Sequence, residues 1–457
     1  MFNKIIVANR GAIASRIIRA LREMNIRSVA VYSEADEGAP YLEHADEAYA
    51  IGPATARDSY LNQDIFIDLI QQTRADGLHP GYGFLAENAD FARRVQENGA
   101  TFIGPSASWI DAMGHKTRAR ELAEKNGLPV GKGSPILSND PVLMRKYAEE
   151  IGYPVLIKPA AGGGGIGMLV AKDPDELTVM AEKASSLAMR GFSNAEIYLE
   201  HYLQRPRHIE FQLLGDKSGR VRHLFDRDCS LQRRHQKIIE EARAPAADHG
   251  KTDALAQHLA ETFSRLGYDN IGTVETLMSQ AGDFHFLEMN TRLQVEHGVT
   301  ESITGIDLVR AQIQSAAGML LDDILPAEIT ATGHAIEARV YAEDSRRFLP
   351  SSGELKVYRP PQGIRVETGY AEGQKVTPYY DPMLAKVIAH GTTRNEAIEK
   401  LLCALEEFEI EGVKTNLDAL RILLTAEEFQ AGDVHTGLVP EVMARNATST
   451  KATAGVA

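Results

Sequence analysis

From Leu287 to Glu296 polar and apolar positions alternate along the chain: Leu-Glu-Met-Asn-Thr-Arg-Leu-Gln-Val-Glu. A period of two is the period of a β-strand, because successive side chains point to opposite faces. Extended, the run puts Glu288, Asn290, Arg292, Gln294 and Glu296 on one face, and Leu287, Met289, Thr291, Leu293 and Val295 on the other. The polar face holds two carboxylates, two amides and a guanidinium, enough to hold a cation, grip an oxyanion and remove a proton. An amphipathic strand with a wet face explains the alternation equally well, so the neighbouring motifs must decide.

The chain has 457 residues, and single cores stop growing beyond roughly 250–300 residues. Two or three domains are expected. The first hundred residues alternate strand and helix. A strand at 4–8 turns at Asn9-Arg10-Gly11, a helix carries Ile13, Ile17, Ala20, Leu21 and Met24 on one stripe, and a second strand runs through Val29, Ala30 and Val31. This is a βαβ unit of an open, doubly wound sheet. Asp36 beyond the second strand invites a dinucleotide reading, but the turn has only Gly11 where that fingerprint needs three glycines. The run from His79 to Asn88 reads as a Gly-rich turn entering a helix. A boundary is expected near 104–116, then a helix at 117–126 and a small α+β segment to about 203. A larger sheet follows from about 207 to 300, short strands with Gly/Pro turns fill 334–390, and a helix spans 394–406. The Ser/Thr/Ala-rich tail at 445–457 reads as disordered.

The formal charge of −14 argues against nucleic acid or an anionic membrane as main partner. Two cysteines, Cys229 and Cys403, suit a reducing compartment. The N-terminus opens into a strand, and no apolar run nears the ~18 residues that span a bilayer. The expectation is a cytoplasmic, soluble protein.

Three further motifs carry chemistry. Gly162 to Gly167 lies between two apolar strands with Lys158 at the end of the first. Glycines let backbone N–H groups approach phosphate oxygens, and the lysine adds a mobile charge. No Gly-Lys-Ser/Thr follows, so this is not a Walker loop. A hairpin covering a phosphate is the better reading than a linker. Glu275 lies one turn before the strand bearing Glu288. Paired antiparallel strands lie about 4.8 Å apart, so the two carboxylates can share a cation. With Asn290 the donor set is all oxygen, suiting Mg²⁺ or Mn²⁺ on nucleotide phosphates. The block from Asp226 to Lys237 packs cations and donors before Glu240 and Glu241. There Cys229 reads as a buried, inert thiol.

A glycine hairpin with an upstream lysine, followed by Glu…Glu-x-Asn, resembles the ATP-grasp superfamily. Ala8–Gly11, His79–Asn88, Met113–Lys116, Arg227–Lys237 and Glu288–His297 resemble the biotin carboxylase family in order and spacing, over residues 1 to about 440. The resemblance implies an α/β and α+β multidomain fold. Its parts would be a Rossmann-like domain at 1–113, an ATP-grasp domain at 114–330 with a mobile lid at about 131–203, and a mixed, β-rich C-terminal domain at 331–444. Carried over, it implies ATP contacts at Lys116, Lys158, Gly164, Gly165, His208, Gln232 and His235, with Glu200, Tyr202 and Leu203 lining the adenine side. Glu275, Glu288 and Asn290 match metal ligands. Lys237, Arg292, Gln294 and Val295 match the bicarbonate group, Glu296 the base, and Arg339 the residue facing the biotin enolate. The implied reaction carboxylates biotin on a separate carrier protein through carboxyphosphate, with ATP and bicarbonate as substrates. The partners implied are a carboxyltransferase subunit, a biotin carboxyl carrier protein and a second copy in a homodimer. No Met-Lys-Met occurs for a carrier lysine, and Met383-Leu384-Ala385-Lys386 reads as a core strand.

Ile166 and Gly298 depart from the family's usual Arg and Pro. They resemble the urea carboxylase branch, whereas His235 keeps the acyl-CoA carboxylase type, so the final acceptor stays open between the two. Two other readings share part of the pattern: a different ATP-grasp ligase, and a partner that binds ATP without turnover.

Overall fold

The computed structural model describes residues 1–137, 140–160, 167–192 and 194–454; the glycine loop with Gly164, Gly165 and Ile166 lies outside them. Five parallel strands form the N-terminal sheet, in the order Glu47–Ala50, Arg27–Tyr32, Lys4–Val7, Gly77–His79, Thr101–Phe102. Alternate residues of its central strand serve two cores. Ile5 and Val7 pack with Ile13, Ile17 and Leu21 of the helix Gly11–Glu23, and Ile6 packs with Phe66, Leu69 and Phe91 on the opposite side. Strand order reverses between Lys4–Val7 and Gly77–His79, which opens a crevice at their carboxyl ends. Asn9 ties that crevice together, its Nδ2 donating to the carbonyls of Pro80 and Tyr82 at 2.7 Å each. Gly81, at φ +64°, must be glycine, since a Cβ there would lie 2.9 Å from Asn9 Nδ2. Asp36 is spent on Arg10, with Nε–Oδ2 at 2.7 Å and Nη2–Oδ1 at 2.5 Å. Asp36 is therefore not free to bind a ribose.

The segment expected to be small and α+β is a three-stranded sheet in the order Leu169–Ala171, Val155–Pro159, Ile197–His201. The two strands flanking the glycine loop pair antiparallel, Ile157 opposite Leu169, as the hairpin reading requires. The helices Pro141–Ile151 and Pro174–Phe192 cover it and supply Met144, Ala148, Leu177 and Ala181 to a core of its own.

The large sheet runs beyond the extent of about 207 to 300 expected for it. Eight strands run in the order Phe284–Asn290, Ile271–Met278, Arg207–Gly215, Val221–Arg233, Gln236–Ala242, His334–Tyr341, Met383–Gly391, Arg365–Thr368. The C-terminal strands continue the central sheet because His334–Tyr341 pairs along the otherwise open edge of Gln236–Ala242, which removes a row of unpaired N–H and C=O groups. Met383–Gly391 is indeed a core strand, with Lys386 fully enclosed. The tail also departs from expectation. A helix Leu438–Ala454 runs through most of the segment expected to be disordered. Val439 and Val442 anchor it in the C-terminal core, and no Pro or Gly interrupts the run between Glu441 and Ala454. Among the described residues no helix is long and apolar enough to cross a membrane.

Candidate active site

The crevice of the N-terminal sheet, the small sheet and one face of the eight-stranded sheet enclose a cavity of about 1130 Å³. Lys116, Lys158, Glu200, Tyr202, Leu203, His208, Gln232, His235, Lys237, Glu275, Glu288, Asn290, Arg292, Gln294, Val295, Glu296 and Arg339 all line it. Every candidate within the described residues is thus in one place. Gly164 and Gly165 lie outside them.

The alternating run reaches this cavity in two ways. The strand Phe284–Asn290 is regular, and Glu288 stands directly opposite Glu275 while Asn290 stands opposite Thr273. Beyond Asn290 the chain leaves the sheet. Glu296 is the N-cap of the helix Val299 belongs to, His297–Thr304, so a single ten-residue strand is not what aligns the polar groups. Arg292 holds the loop together: its Nε donates to Glu87 Oε2 at 2.8 Å, Nη1 to Gln294 Oε1 at 2.9 Å and Nη2 to Asn290 Oδ1 at 3.0 Å.

Lys237 is the electrostatic centre. Its Nζ donates to Glu210 Oε2 at 2.6 Å, Glu296 Oε1 at 2.7 Å and Glu275 Oε1 at 2.8 Å. Burial disfavours its charge, but the three carboxylates overcome this and push its pKa well above the ordinary lysine value. Glu296 is fully buried, and its Oε2 accepts from Arg339 Nη2 at 2.9 Å. Burial alone would raise its pKa; Lys237, Arg339 and Arg227 outweigh it and hold the carboxyl well below the usual range. Glu275 is held ionised likewise, against burial, by Lys237 and by His208, whose Nε2 is 3.1 Å from Oε2. Arg339 Nε is buried without a hydrogen-bond partner, a donor left for something that enters the cavity. Cys229 is buried, as expected, and burial, chiefly, pushes its pKa well up.

On the other side Lys158 Nζ donates to Glu200 Oε2 at 2.9 Å and lies 5.6 Å from the Tyr198 ring centre. Leu203, Leu277 and Leu287 add an apolar slot suited to a planar ring. The oxygen donors fit a hard divalent cation. Glu288 is 32 % exposed toward the cavity with Lys116 only loosely paired at 3.6 Å, which leaves its carboxylate available to a cation. His208, Glu210 and Glu275 also converge at metal-ligand spacing, but there Lys237 already supplies the cation.

Sequence reasoning missed Glu210 and Glu87. Glu210 is fully buried in the strand Arg207–Gly215; the one carboxylate of that strand, between Ile209 and Phe211, was the available signal. Gly298 is explained by packing. A Cβ there would overlap Ile388 Cδ1 and lie 3.4 Å from Glu337 Oε2. Gly298→Ala is expected to destabilise the protein by about 1 kcal/mol or less, since the overlap falls on the movable end of Ile388 and alanine is the better helix former. Ile388→Val, which removes that Cδ1, should recover most of the loss in thermal unfolding of the double variant; no recovery would place the strain elsewhere.

Family models match along the chain: "Biotin carboxylase, N-terminal domain" over residues 1–110, "Carbamoyl-phosphate synthase L chain, ATP binding domain" over 115–324, and "Biotin carboxylase C-terminal domain" over 337–441. A biotin carboxylase of Halalkalibacterium halodurans is 46% identical over 441 residues, covering 96% of this chain and 97% of the relative. The chain belongs to the biotin carboxylase family. It is therefore an ATP-dependent ligase that carboxylates biotin, built on a mixed α/β, multidomain ATP-grasp fold. A pyruvate carboxylase subunit of Methanothermobacter thermautotrophicus is also 46% identical, covering 96% of this chain and 90% of its own. The biotin carboxylase domain dimer of the Hydrogenobacter thermophilus 2-oxoglutarate carboxylase, solved with MgADP, ADP and bicarbonate, superposes with a TM-score of 0.92. It is 42% identical and covers 97% of this chain and 99% of its own.

Proposed function

We propose that this cavity carries out the first half-reaction of a biotin-dependent carboxylase, with the roles of its residues as follows. Lys116, Lys158, His208, Gln232 and His235, with Gly164 and Gly165, contact ATP, and Glu200, Tyr202 and Leu203 line its adenine side. Arg292, Gln294, Lys237 and the backbone of Val295 hold bicarbonate. Glu296 removes its proton, since bicarbonate is a poor nucleophile until deprotonated. The dianion attacks the γ-phosphorus and ADP leaves, giving carboxyphosphate, while the lysines neutralise charge as it develops. Held by Glu275, Glu288 and Asn290, Mg²⁺ or Mn²⁺ would add charge neutralisation at the phosphates. Carboxyphosphate breaks down to CO₂ and phosphate, the phosphate takes the ureido N–H proton, and biotin captures CO₂ while Arg339 faces its enolate-like oxygen.

The observation that carries this reading is the fully buried Glu296 clamped between Lys237 and Arg339. An ATP-grasp ligase for another substrate has no need of a base so placed. The small sheet, within about 131–203, is the lid of a domain spanning 114–330, between domains at 1–113 and 331–444. Biotin arrives on a separate carrier protein, a separate carboxyltransferase subunit selects an acyl-CoA or urea-like acceptor, and the chain works as a homodimer.

ADP release from Mg²⁺-ATP is expected to require bicarbonate and to rise further with free biotin. Turnover indifferent to bicarbonate would instead identify a different ATP-grasp ligase. ATP binding without turnover, even with a biotinylated carrier, would identify a non-catalytic partner.

A further inference from the structure

Behind Arg339 lies a carboxyl pair that the reaction above does not use. Glu240 and Glu337 stand directly opposite each other on the paired strands Gln236–Ala242 and His334–Tyr341, and both are fully buried. Directly opposed residues of an antiparallel pair share a face, with Cβ atoms about 4.5–5.5 Å apart. Glu240 Oε1 lies 2.5 Å from Arg339 Nη2, and the same Nη2 lies 2.9 Å from Glu296 Oε2. No oxygen of Glu240 or Glu337 accepts a hydrogen bond, so the contact with Arg339 is an ion pair of poor hydrogen-bond geometry.

The surrounding cations are already committed. Lys237 serves Glu210, Glu275 and Glu296. Lys386 lies 2.8 Å from Glu367 and 3.7 Å from Glu337, and it donates to the Val295 carbonyl. Glu240 thus has Arg339, which it shares with Glu296, and Glu337 has Lys386 at 3.7 Å, and facing buried carboxyls cannot both ionise cheaply. Burial is the chief force on the pair; Arg339 opposes it at Glu240, while Glu337 and Glu296 reinforce it, and Glu240 is pushed up to about 8. Burial pushes Glu337 up to about 7, against Lys386 and Arg339 and with Glu367 and Glu296. The titration belongs to the pair rather than to either member.

We propose that Glu240, facing Glu337, is a positioning residue that anchors Arg339 when Glu296 lets it go. The inference rests on the biotin-facing role given to Arg339. In the resting site Arg339 divides Nη2 between Glu240 and Glu296. Once Glu296 accepts the bicarbonate proton it becomes neutral, and its hold on the guanidinium lapses. Glu240 takes no part in that transfer and keeps Arg339 at the cavity wall, with Nε unpartnered and free to face biotin. The anchor is charged only when the pair has lost protons, so it strengthens as pH rises through about 7 to 8.

Glu240→Gln, assayed with free biotin, Mg²⁺-ATP and bicarbonate, is expected to raise KM for biotin about tenfold, the effect of losing one charge-assisted contact. Bicarbonate-dependent ATP hydrolysis without biotin should stay near wild type. The wild-type kcat/KM for biotin should rise between about pH 7 and 8, and the variant should lack that limb. Glu337→Gln removes the like-charged neighbour and should move the limb to lower pH, which keeps the idea testable if the first variant does not fold. An unchanged biotin KM and limb in Glu240→Gln, an unmoved limb in Glu337→Gln, or equal loss of both activities would overturn the proposal. Arg339→Gln run in parallel separates the two readings. If it leaves biotin KM unchanged, the role of Arg339 itself fails; if it raises KM while Glu240→Gln does not, only the anchor fails.

Discussion

Glu296→Gln is expected to lower bicarbonate-dependent ATP turnover by about 10²–10⁴-fold, the usual contribution of a general base, and to leave ATP binding intact. The amide keeps the shape and can still accept a hydrogen bond, but it cannot accept a proton at neutral pH. The wild-type carboxylate is ionised because Lys237 at 2.7 Å and Arg339 at 2.9 Å outweigh its complete burial. A carboxylate held so far down is a weak base in the resting site. On the proposed roles, bicarbonate held by Arg292 and Lys237 would compete for the same cations, drawing positive charge away from Glu296 and raising its proton affinity. On that reading the base would be strengthened by its own substrate. ADP release measures turnover, and calorimetry with Mg²⁺-ATP measures binding. Undiminished turnover would remove Glu296 from proton transfer. Loss of binding as well would mean that the substitution disturbs the cavity beyond the base.

Which parts of this site could be read from the chain follows from how local each contact is. Glu288 and Asn290 were legible because they lie on a true strand, and Glu275 because a short turn fixes its register with Glu288. Arg292, Gln294 and Glu296 continue the alternation but owe their positions to a loop and a helix start. They reach the cavity through Arg292's bonds to Glu87 and Gln294, and Glu87 lies 205 positions away in sequence. The roles of Glu210 and Glu240 were not legible, because they depend on partners, Lys237, Arg227 and Arg339, which other strands bring to them. The same limit hid the continuity of the eight-stranded sheet. Nothing in residues 236–242 or 334–341 alone announces that these two runs pair.

Arg227→Ala is expected to destabilise the protein by about 3–5 kcal/mol, the range for removing one partner of a buried ion pair. The Arg227 side chain is fully buried. Its Nε donates to Glu210 Oε1 at 2.5 Å, Nη1 to Gln212 Oε1 at 2.8 Å and to Thr300 Oγ1 at 2.9 Å, and Nη2 to Thr273 Oγ1 at 3.3 Å. Truncation strands these acceptors in a dry interior, where each unmade hydrogen bond carries its full desolvation cost. Arg227→Lys keeps the charge but cannot fork to four acceptors, so its loss should fall between wild type and alanine. The urea midpoint followed by circular dichroism orders the three proteins. Thr300 belongs to the helix His297–Thr304, whose N-cap position is Glu296, so Arg227 also pins Glu296 to the sheet. Glu210, freed of Arg227, would draw more strongly on Lys237 and weaken its hold on Glu296. Arg227→Lys should therefore lose more turnover than its change in stability accounts for under conditions where it remains folded. Equal midpoints for all three proteins would show that the buried network stabilises no more than apolar packing would. Activity retained in Arg227→Lys would show that Glu296 keeps its position without the pin.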